Sequence, residues 1–314
     1  NVLLKGSELS LDAVLSEYPR FEAEYLVYTG WQPRKNHLLH EDWKLGWIPD
    51  VGVSFKSQKM ETYDYKQGQR TGVYDYQESR LNLFAHSNIR NSLLLRTGME
   101  THLSRIKGKI LTDPDFETIK NRFLNVYTEA SFDNYNHAFY PTSGMKAFTK
   151  LEYVNYLNQT SFKDKDFVRF AFRFSEARDL RGKLSAVGHF YTASVWGKHV
   201  PLDYLIYYGG QNKTPMGHVV FPFAGLDFLE ISNKSALIWG LDMQYELFED
   251  HFIVLKGNIG KDASYYENLF KDLNVEAGLG LTYGYNSFIG PLEITFMQAT
   301  DRDFKVYLNM GFWF

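Results

Sequence analysis

The chain ends on Phe304-Lys305-Val306-Tyr307-Leu308-Asn309-Met310-Gly311-Phe312-Trp313-Phe314, a segment that alternates with period two to its last residue. In an extended strand Phe304, Val306, Leu308, Met310, Phe312 and Phe314 share one face, while Lys305, Asn309 and Gly311 share the other. The first face suits lipid and the second a wet or crowded lumen. An unpaired apolar edge of this kind would template aggregation in water. The ending therefore predicts the closing strand of a transmembrane β-barrel.

The same alternation recurs throughout the chain. Fourteen segments show it, at 7–15, 20–31, 47–63, 71–88, 91–106, 121–134, 144–157, 166–178, 181–195, 235–247, 251–261, 274–285, 289–299 and 304–314, separated by turns rich in Gly, Asn, Asp and Lys. From Leu237 to Leu247 the odd positions are apolar or aromatic, and Gly240, Asp242, Gln244 and Glu246 fall opposite. Val168, Phe170, Phe172 and Phe174 alternate with Arg169 and Arg173. Arginine on a lipid face costs roughly 2–4 kcal/mol near the midplane, so both arginines are expected to point inward. In 275–285 glycines recur at inward positions where bulk would crowd the lumen or something packed in it. Aromatic residues gather near strand ends, as Tyr25, Tyr28 and Trp31 do, in the manner of interfacial girdles.

A mean hydropathy of -0.35 is compatible with this fold, because only alternate residues meet lipid. No run approaches the roughly 18 apolar residues that a transmembrane helix needs. The expected fold is thus all-β, a closed antiparallel transmembrane β-barrel with about fourteen strands in residues 1–314 and no domain boundary. Such a barrel belongs in the outer membrane of a Gram-negative bacterium, among lipid and lipopolysaccharide. Cysteine is absent, which permits an oxidising compartment, and a net charge of -3 without a basic stripe gives no reason to expect nucleic acid. The chain opens at Asn1 without a signal segment, so an export signal is expected upstream.

Two interruptions stand out. Residues 107–120 are polar and suit a short helical turn in a surface loop. The longer one, 196–234, is rich in large apolar side chains, notably Phe221-Pro222-Phe223-Ala224-Gly225-Leu226, which have no reason to face water. It is expected to fold back into the lumen.

Sites for chemistry are sparse. There is no G-x-S-x-G nucleophile elbow, and hydrolysis would need a nucleophile, base and oxyanion hole. His189 with Ser185 or Ser194 on one hairpin is the nearest approach. His137, His189, His218 and His251 lack the spacing of metal ligands, and Asp113-Pro114-Asp115 lacks the Gly and Glu of a calcium loop. No cofactor or metal is expected. The inward charges Arg169, Arg173, Asp242, Glu246, Glu276 and Glu293 either pair across the lumen or line a conduction path.

Three places together resemble the bacterial surface antigen superfamily, the outer-membrane assembly and translocation barrels that follow periplasmic POTRA modules. They are Phe139-Tyr140-Pro141-Thr142-Ser143-Gly144-Met145, similar to the superfamily's Pro-Thr-x-Gly turn with Pro141, Thr142 and Gly144 in place; the long loop after Tyr208-Gly209-Gly210; and the ending from Gly278 through Ile289-Gly290-Pro291-Leu292-Glu293 to the aromatic strand. Within it the chain looks most like the barrel half of patatin-like phospholipases of the Bacteroidetes kind, related to type V autotransporters, on the strength of residues 1–12, 221–228 and 289–293. The resemblance implies sixteen strands in the whole protein, of which the opening segment is the third, with POTRA modules and a patatin domain upstream. It also implies a barrel that anchors, and helps translocate, that domain and is not itself catalytic.

Partners implied are the barrel assembly machinery during insertion and a homodimer or a complex with other outer-membrane proteins. A stand-alone channel or porin and an assembly factor for other barrels are the alternatives. Assembly barrels carry a Val-Arg-Gly-Phe/Tyr loop tip whose Arg pairs with an acidic residue of the inner wall; here Pro222 to Leu226 holds the place with no Arg, which removes that pair and counts against direct barrel insertion.

Overall fold

The computed structural model describes residues 6–29, 49–66, 68–89, 92–110, 116–158, 165–211, 219–271 and 275–311. Alternating sequence makes strands here because each one shields a polar inner face and offers an apolar outer face. The wall strands are β1 (Ser7–Val14), β2 (Arg20–Val27), β3 (Asp50–Lys66), β4 (Gln69–Ile89), β5 (Leu93–Ile110), β6 (Ile119–Asp133), β7 (Gly144–Tyr156), β8 (Phe167–Arg181) and β9 (Leu184–Trp196). After the long loop come β13 (Ser235–Phe248), β14 (His251–Ala263), β15 (Glu276–Ser287), β16 (Gly290–Ala299) and β17 (Lys305–Met310). Three short strands, β10 (Ile206–Tyr208), β11 (Val219–Phe221) and β12 (Ile231–Asn233), lie within the loop.

The fourteen wall strands form one sheet in the order β1 to β9 followed by β13 to β17, and the strands flanking the loop pair directly, Ser235 opposite Ser194. Neighbours are antiparallel throughout, from Ser7↔Val27 at one edge to Met297↔Lys305 at the other. Among the described residues β1 and β17 each pair on one side only.

Leu81, Leu83, Met99, Leu103, Val126, Trp239, Leu241, Leu255, Ile259, Leu279 and Leu281 are exposed on the outer face. An apolar band this extensive is what a bilayer covers. Phe304, just before the last strand, and Val306, Leu308 and Met310 on it continue the band, while Asn309 is buried on the inner side. Phe312 and Phe314 lie outside the described residues, as does Trp31.

The sheet curls around the loop. Side chains of β4, β6, β9, β14 and β17 all reach loop residues, which a flat sheet could not arrange. Two packed clusters result. One joins Phe123, Phe167, Tyr191 and Ile238 of the wall to Tyr204, Tyr208, Phe221, Phe223 and Leu226 of the loop. The other joins Met60, Tyr76 and Ile106 to Tyr207, Val220 and Leu229.

Strands β3, β4 and β5 run to 17, 21 and 18 residues, well beyond the roughly 9–11 that cross a bilayer. Their surplus overhangs the mouth. The Tyr65 hydroxyl at the β3–β4 tip donates to the Phe228 carbonyl of the loop at 3.2 Å. The polar stretch 107–120 is corrected by the same feature: Lys107, Gly108 and Ile110 are strand, because the long β4 offers Asp75, Tyr74 and Val73 as ladder partners.

Candidate functional site

The loop between β9 and β13 enters the barrel and is fixed at three levels. At its root, Leu202–Tyr204 makes a 3-10 turn started by Pro201. This turn sets Asp203 and Tyr204 side by side against the wall, 1% and 0% exposed. The Asp203 carboxylate accepts from Tyr76 of β4 at 3.1 Å and from Asn121 of β6 at 2.6 Å. The Tyr204 hydroxyl accepts from Asn125 at 2.7 Å and lies 3.1 Å from Nδ1 of His102. Its ring meets Phe123 and Phe167 edge-on at 4.7 and 5.0 Å, with the Arg169 guanidinium 4.6 Å from its centroid.

Around this root the inner wall carries a paired charge network. Arg80 lies 3.0 Å from both Glu78 and Glu100, and Arg169 lies 2.7 Å from Glu152, which Lys150 approaches at 3.3 Å. Buried charges are costly unless paired and hydrogen-bonded. Each of these is paired with an opposite charge, although Oε1 of Glu152 and Nη1 of Arg169 are buried without a hydrogen bond.

The middle of the loop is a small sheet. Strand β10 pairs parallel with β11 and antiparallel with β12, which satisfies backbone groups away from the wall. Asp262 of β14 accepts from the Tyr208 hydroxyl at 2.7 Å and from Asn233 at 2.8 Å. Burial pushes the hydroxyls of Tyr204 and Tyr208 well above the ordinary tyrosine range, and the Asp262 carboxylate adds to the effect at Tyr208, so both remain protonated. Arg173 donates to the Val220 carbonyl at 3.0 Å, and Phe221 stacks on Tyr191 at 5.5 Å.

The tip holds Phe221, Pro222, Phe223, Ala224, Gly225 and Leu226 together against β14, β15 and β16. All but Pro222 are buried. The Ala224 amide donates to Asn258 at 3.0 Å. Glycines of the wall make the seat: a Cβ on Gly260 would come within 2.7 Å of the Phe223 ring, and one on Gly278 would strike the Ala224 carbonyl. Gly225 has φ +86, and a side chain there would collide with the backbone of Gln298 and Ala299.

On the return limb, Glu230 is 7% exposed and its carboxylate accepts from Arg302 at 2.5 Å and from Lys305 at 3.3 Å. Asp227 lies 3.0 Å from the same Lys305. An ion-pair cluster thus ties the loop down with its sign reversed: the loop brings the acid, and the β16–β17 turn and the first residue of β17 bring the bases.

The other singled-out residues are placed as follows. Thr142 lies in the connection between β6 and β7 and Gly144 opens β7; Asn136 donates to the Thr142 hydroxyl at 2.8 Å, and the Pro141 carbonyl accepts from Gln244 of β13 at 2.9 Å. Of the inward charges, Asp242 lies 3.3 Å from His189, Glu276 lies 3.8 Å from Arg302, and Glu293 accepts from Tyr140 at 2.8 Å. His189 does not join Ser185 or Ser194, which bond to Gln244 and Ser235. Its Nδ1 lies 2.9 Å from Ser175, completing a Ser-His-Asp row across three strands. Ladders on both sides of β8 take up the amides that an oxyanion site would use. No group of three or more potential metal ligands occurs among the described residues, and His218 and 113–115 lie outside them.

Sequence reasoning missed Asp203, Tyr204 and Glu230. No motif marks them; only their position in an apolar loop flanked by two strong strands could have singled them out.

The family whose sequence pattern matches is described as the OMP85 superfamily, and the match runs over residues 1–314. The chain belongs to the OMP85 superfamily. Among solved structures, BamA from Haemophilus ducreyi lacking POTRA domains 1-3 superposes with a TM-score of 0.70 at 12% identity, covering 98% of this chain and 64% of that one. CdiB from Acinetobacter baumannii superposes with a TM-score of 0.57 at 11% identity, covering 97% and 53%. At these identities the likeness is one of fold, and the chain spans less than two thirds of either relative. No curated protein sequence matches it. As a member of the OMP85 superfamily with an apolar outer band, it is an outer-membrane β-barrel protein.

Proposed function

We propose that this barrel is the membrane anchor of an upstream patatin-like phospholipase domain, that it helps to translocate that domain, and that its own lumen is occluded by the loop. The observation that carries the reading is the loop, docked at root, middle and tip on walls that face each other across the interior. A barrel satisfies every wall amide in lipid except at an open edge. With the lumen filled, what it offers an attached domain is position beside the lipid that such an enzyme attacks. The description of the BamA relative names POTRA domains, which supports POTRA modules upstream here too. The phospholipase assignment rests on the sequence resemblance at 221–228 and 289–293. Lipid, lipopolysaccharide and the assembly machinery that inserts barrels are the partners this reading requires, with homodimerisation a further part of it.

A passive porin needs an open lumen, and the docked loop speaks against one. The assembly-factor reading retains the superfamily membership but lacks the arginine at the tip. Depletion separates it: an assembly factor would lower many unrelated outer-membrane proteins, whereas an anchor would lower only its own attached activity.

The first test is the intact mass of the protein purified from native outer membranes. A mass near twice the 36.6 kDa of this chain supports an attached domain, to be assayed on phospholipid. A mass only a few kDa above that of the chain removes the anchored-enzyme reading.

A further inference from the structure

Strand connections differ at the two ends of the barrel. Residues 182–183, 249–250 and 288–289 are tight turns at one end, and the loop 197–234 enters from the other. Outer-membrane barrels keep short turns on the periplasmic side. The connections 28–49 and 134–143 are exceptions: each is longer, yet lies at the turn end. The second is also built rigidly. Asn136 accepts from the amides of Thr142 and Ser143 at 3.0 and 3.1 Å, and Asn134 accepts from the Met145 amide at 2.7 Å. Gly144 has φ +101, and a Cβ there would collide with the Asn134 carbonyl.

This rigid turn projects Tyr140 and Pro141 away from β6 and β7 onto the far wall. Tyr140 is 6% exposed and stacks on Phe252 of β14 at 4.2 Å with 12° between the rings. Its hydroxyl donates to Glu293 of β16, whose other oxygen accepts from Asn309 of β17 at 3.1 Å. Gln244 of β13 donates to the Pro141 carbonyl. Gly284 of β15 leaves the space for the phenol, since a Cβ there would strike it. Five consecutive strands thus receive or support one turn from across the interior.

We propose that residues 134–143 form a strap that closes the periplasmic end of the lumen, a second gate in series with the loop. Solute then passes only when both have moved. Releasing the loop alone opens the mouth onto a closed base, and releasing the strap alone opens the base onto a plugged mouth.

The test uses the full-length protein in planar bilayers, with folding checked by heat-modifiable migration. One variant replaces 221–229 with a Gly-Ser linker, a second carries Tyr140→Ala and Gln244→Ala, and a third combines them. Expected is conductance close to wild type for each of the first two and a rise of about tenfold or more for the combination, on the scale of losing charge-assisted hydrogen bonds. Conductance in the loop variant equal to that of the combination overturns the proposal, as does silence of the combination. If the double strap variant does not fold, Glu293→Gln is used with a reporter thiol. Ser185→Cys places the thiol where the strap docks, at a residue 5% exposed whose hydroxyl accepts from Gln244, the side chain that also donates to the Pro141 carbonyl, and residues 1–314 hold no cysteine of their own. A membrane-impermeant maleimide added from the periplasmic side labels it about tenfold faster when Glu293 is changed. Equal rates with and without the change overturn the proposal.

Discussion

Glu230 of the loop and Arg302 of the turn between β16 and β17 meet at 2.5 Å, with the carboxylate side chain 1% exposed and the guanidinium-bearing side chain 15% exposed. Lys305 completes the acid's surroundings at 3.3 Å. Removing one partner of a buried pair leaves the other charge stranded, which typically costs about 3–5 kcal/mol. Glu230→Gln is therefore expected to lower the urea midpoint of the barrel and to expose the loop to protease. Arg302→Gln, which leaves Lys305 to pair with Glu230, is expected to cost less. Urea titration of both variants by tryptophan fluorescence checks the order.

Gly278 leaves room for the Ala224 carbonyl. Gly278→Leu is expected to push the tip off its seat without disturbing the β15 ladder, because glycine in a strand interior has no side chain of its own to lose. The readout is amide hydrogen exchange: protection falls across β10, β11 and β12 while that of β14 and β15 persists.

Tyr204 offers a graded pair of substitutions. Tyr204→Phe keeps the ring contacts with Phe123 and Phe167 but leaves Asn125 and His102 without the hydroxyl, an expected loss of roughly 1–3 kcal/mol. Tyr204→Ala empties the centre of the larger packed cluster and is expected to lose roughly 3–5 kcal/mol. Equal stability of the two variants would show that the ring contributes nothing.

The outer face is tested at Leu241, which is 50% exposed in the middle of β13. Leu241→Arg is expected to cost about 2–4 kcal/mol on folding into vesicles, as for arginine near the bilayer midplane. Gln244→Arg on the inner side of the same strand probes a different effect, loss of the bond to Pro141, and should spare insertion.

Much of the wall was legible because its period is physical. Each strand must present one face to hydrocarbon, so the fourteen segments appear in the sequence with boundaries displaced by a few residues at most. The displacement at 107–110 shows the limit: Lys107 and Lys109 look like loop because the barrel there has left the membrane and the lipid rule no longer applies. The tip at Phe221 to Leu226 was visible as apolar side chains without a reason to face water. Its partners were not. Whether Ala224 meets Asn258 or Glu230 meets Arg302 depends on how the loop threads a lumen, and nothing local encodes that path. Tyr140 was visible in a family turn, but its reach to Glu293 required the curvature of the whole sheet.

The loop tip sits inside the barrel, and a single pair of cysteines is enough to show it. A Cβ on Gly280 would lie 3.5 Å from the Ala224 Cβ, at the short end of the separation that a disulfide bridges. Ala224→Cys with Gly280→Cys, in a chain that has no cysteine of its own, is oxidised in native outer membranes and digested. With the tip seated against β15, the two cysteine-bearing peptides are recovered joined within one chain. Recovery of both as free thiols, in protein shown to be folded, would contradict that seating.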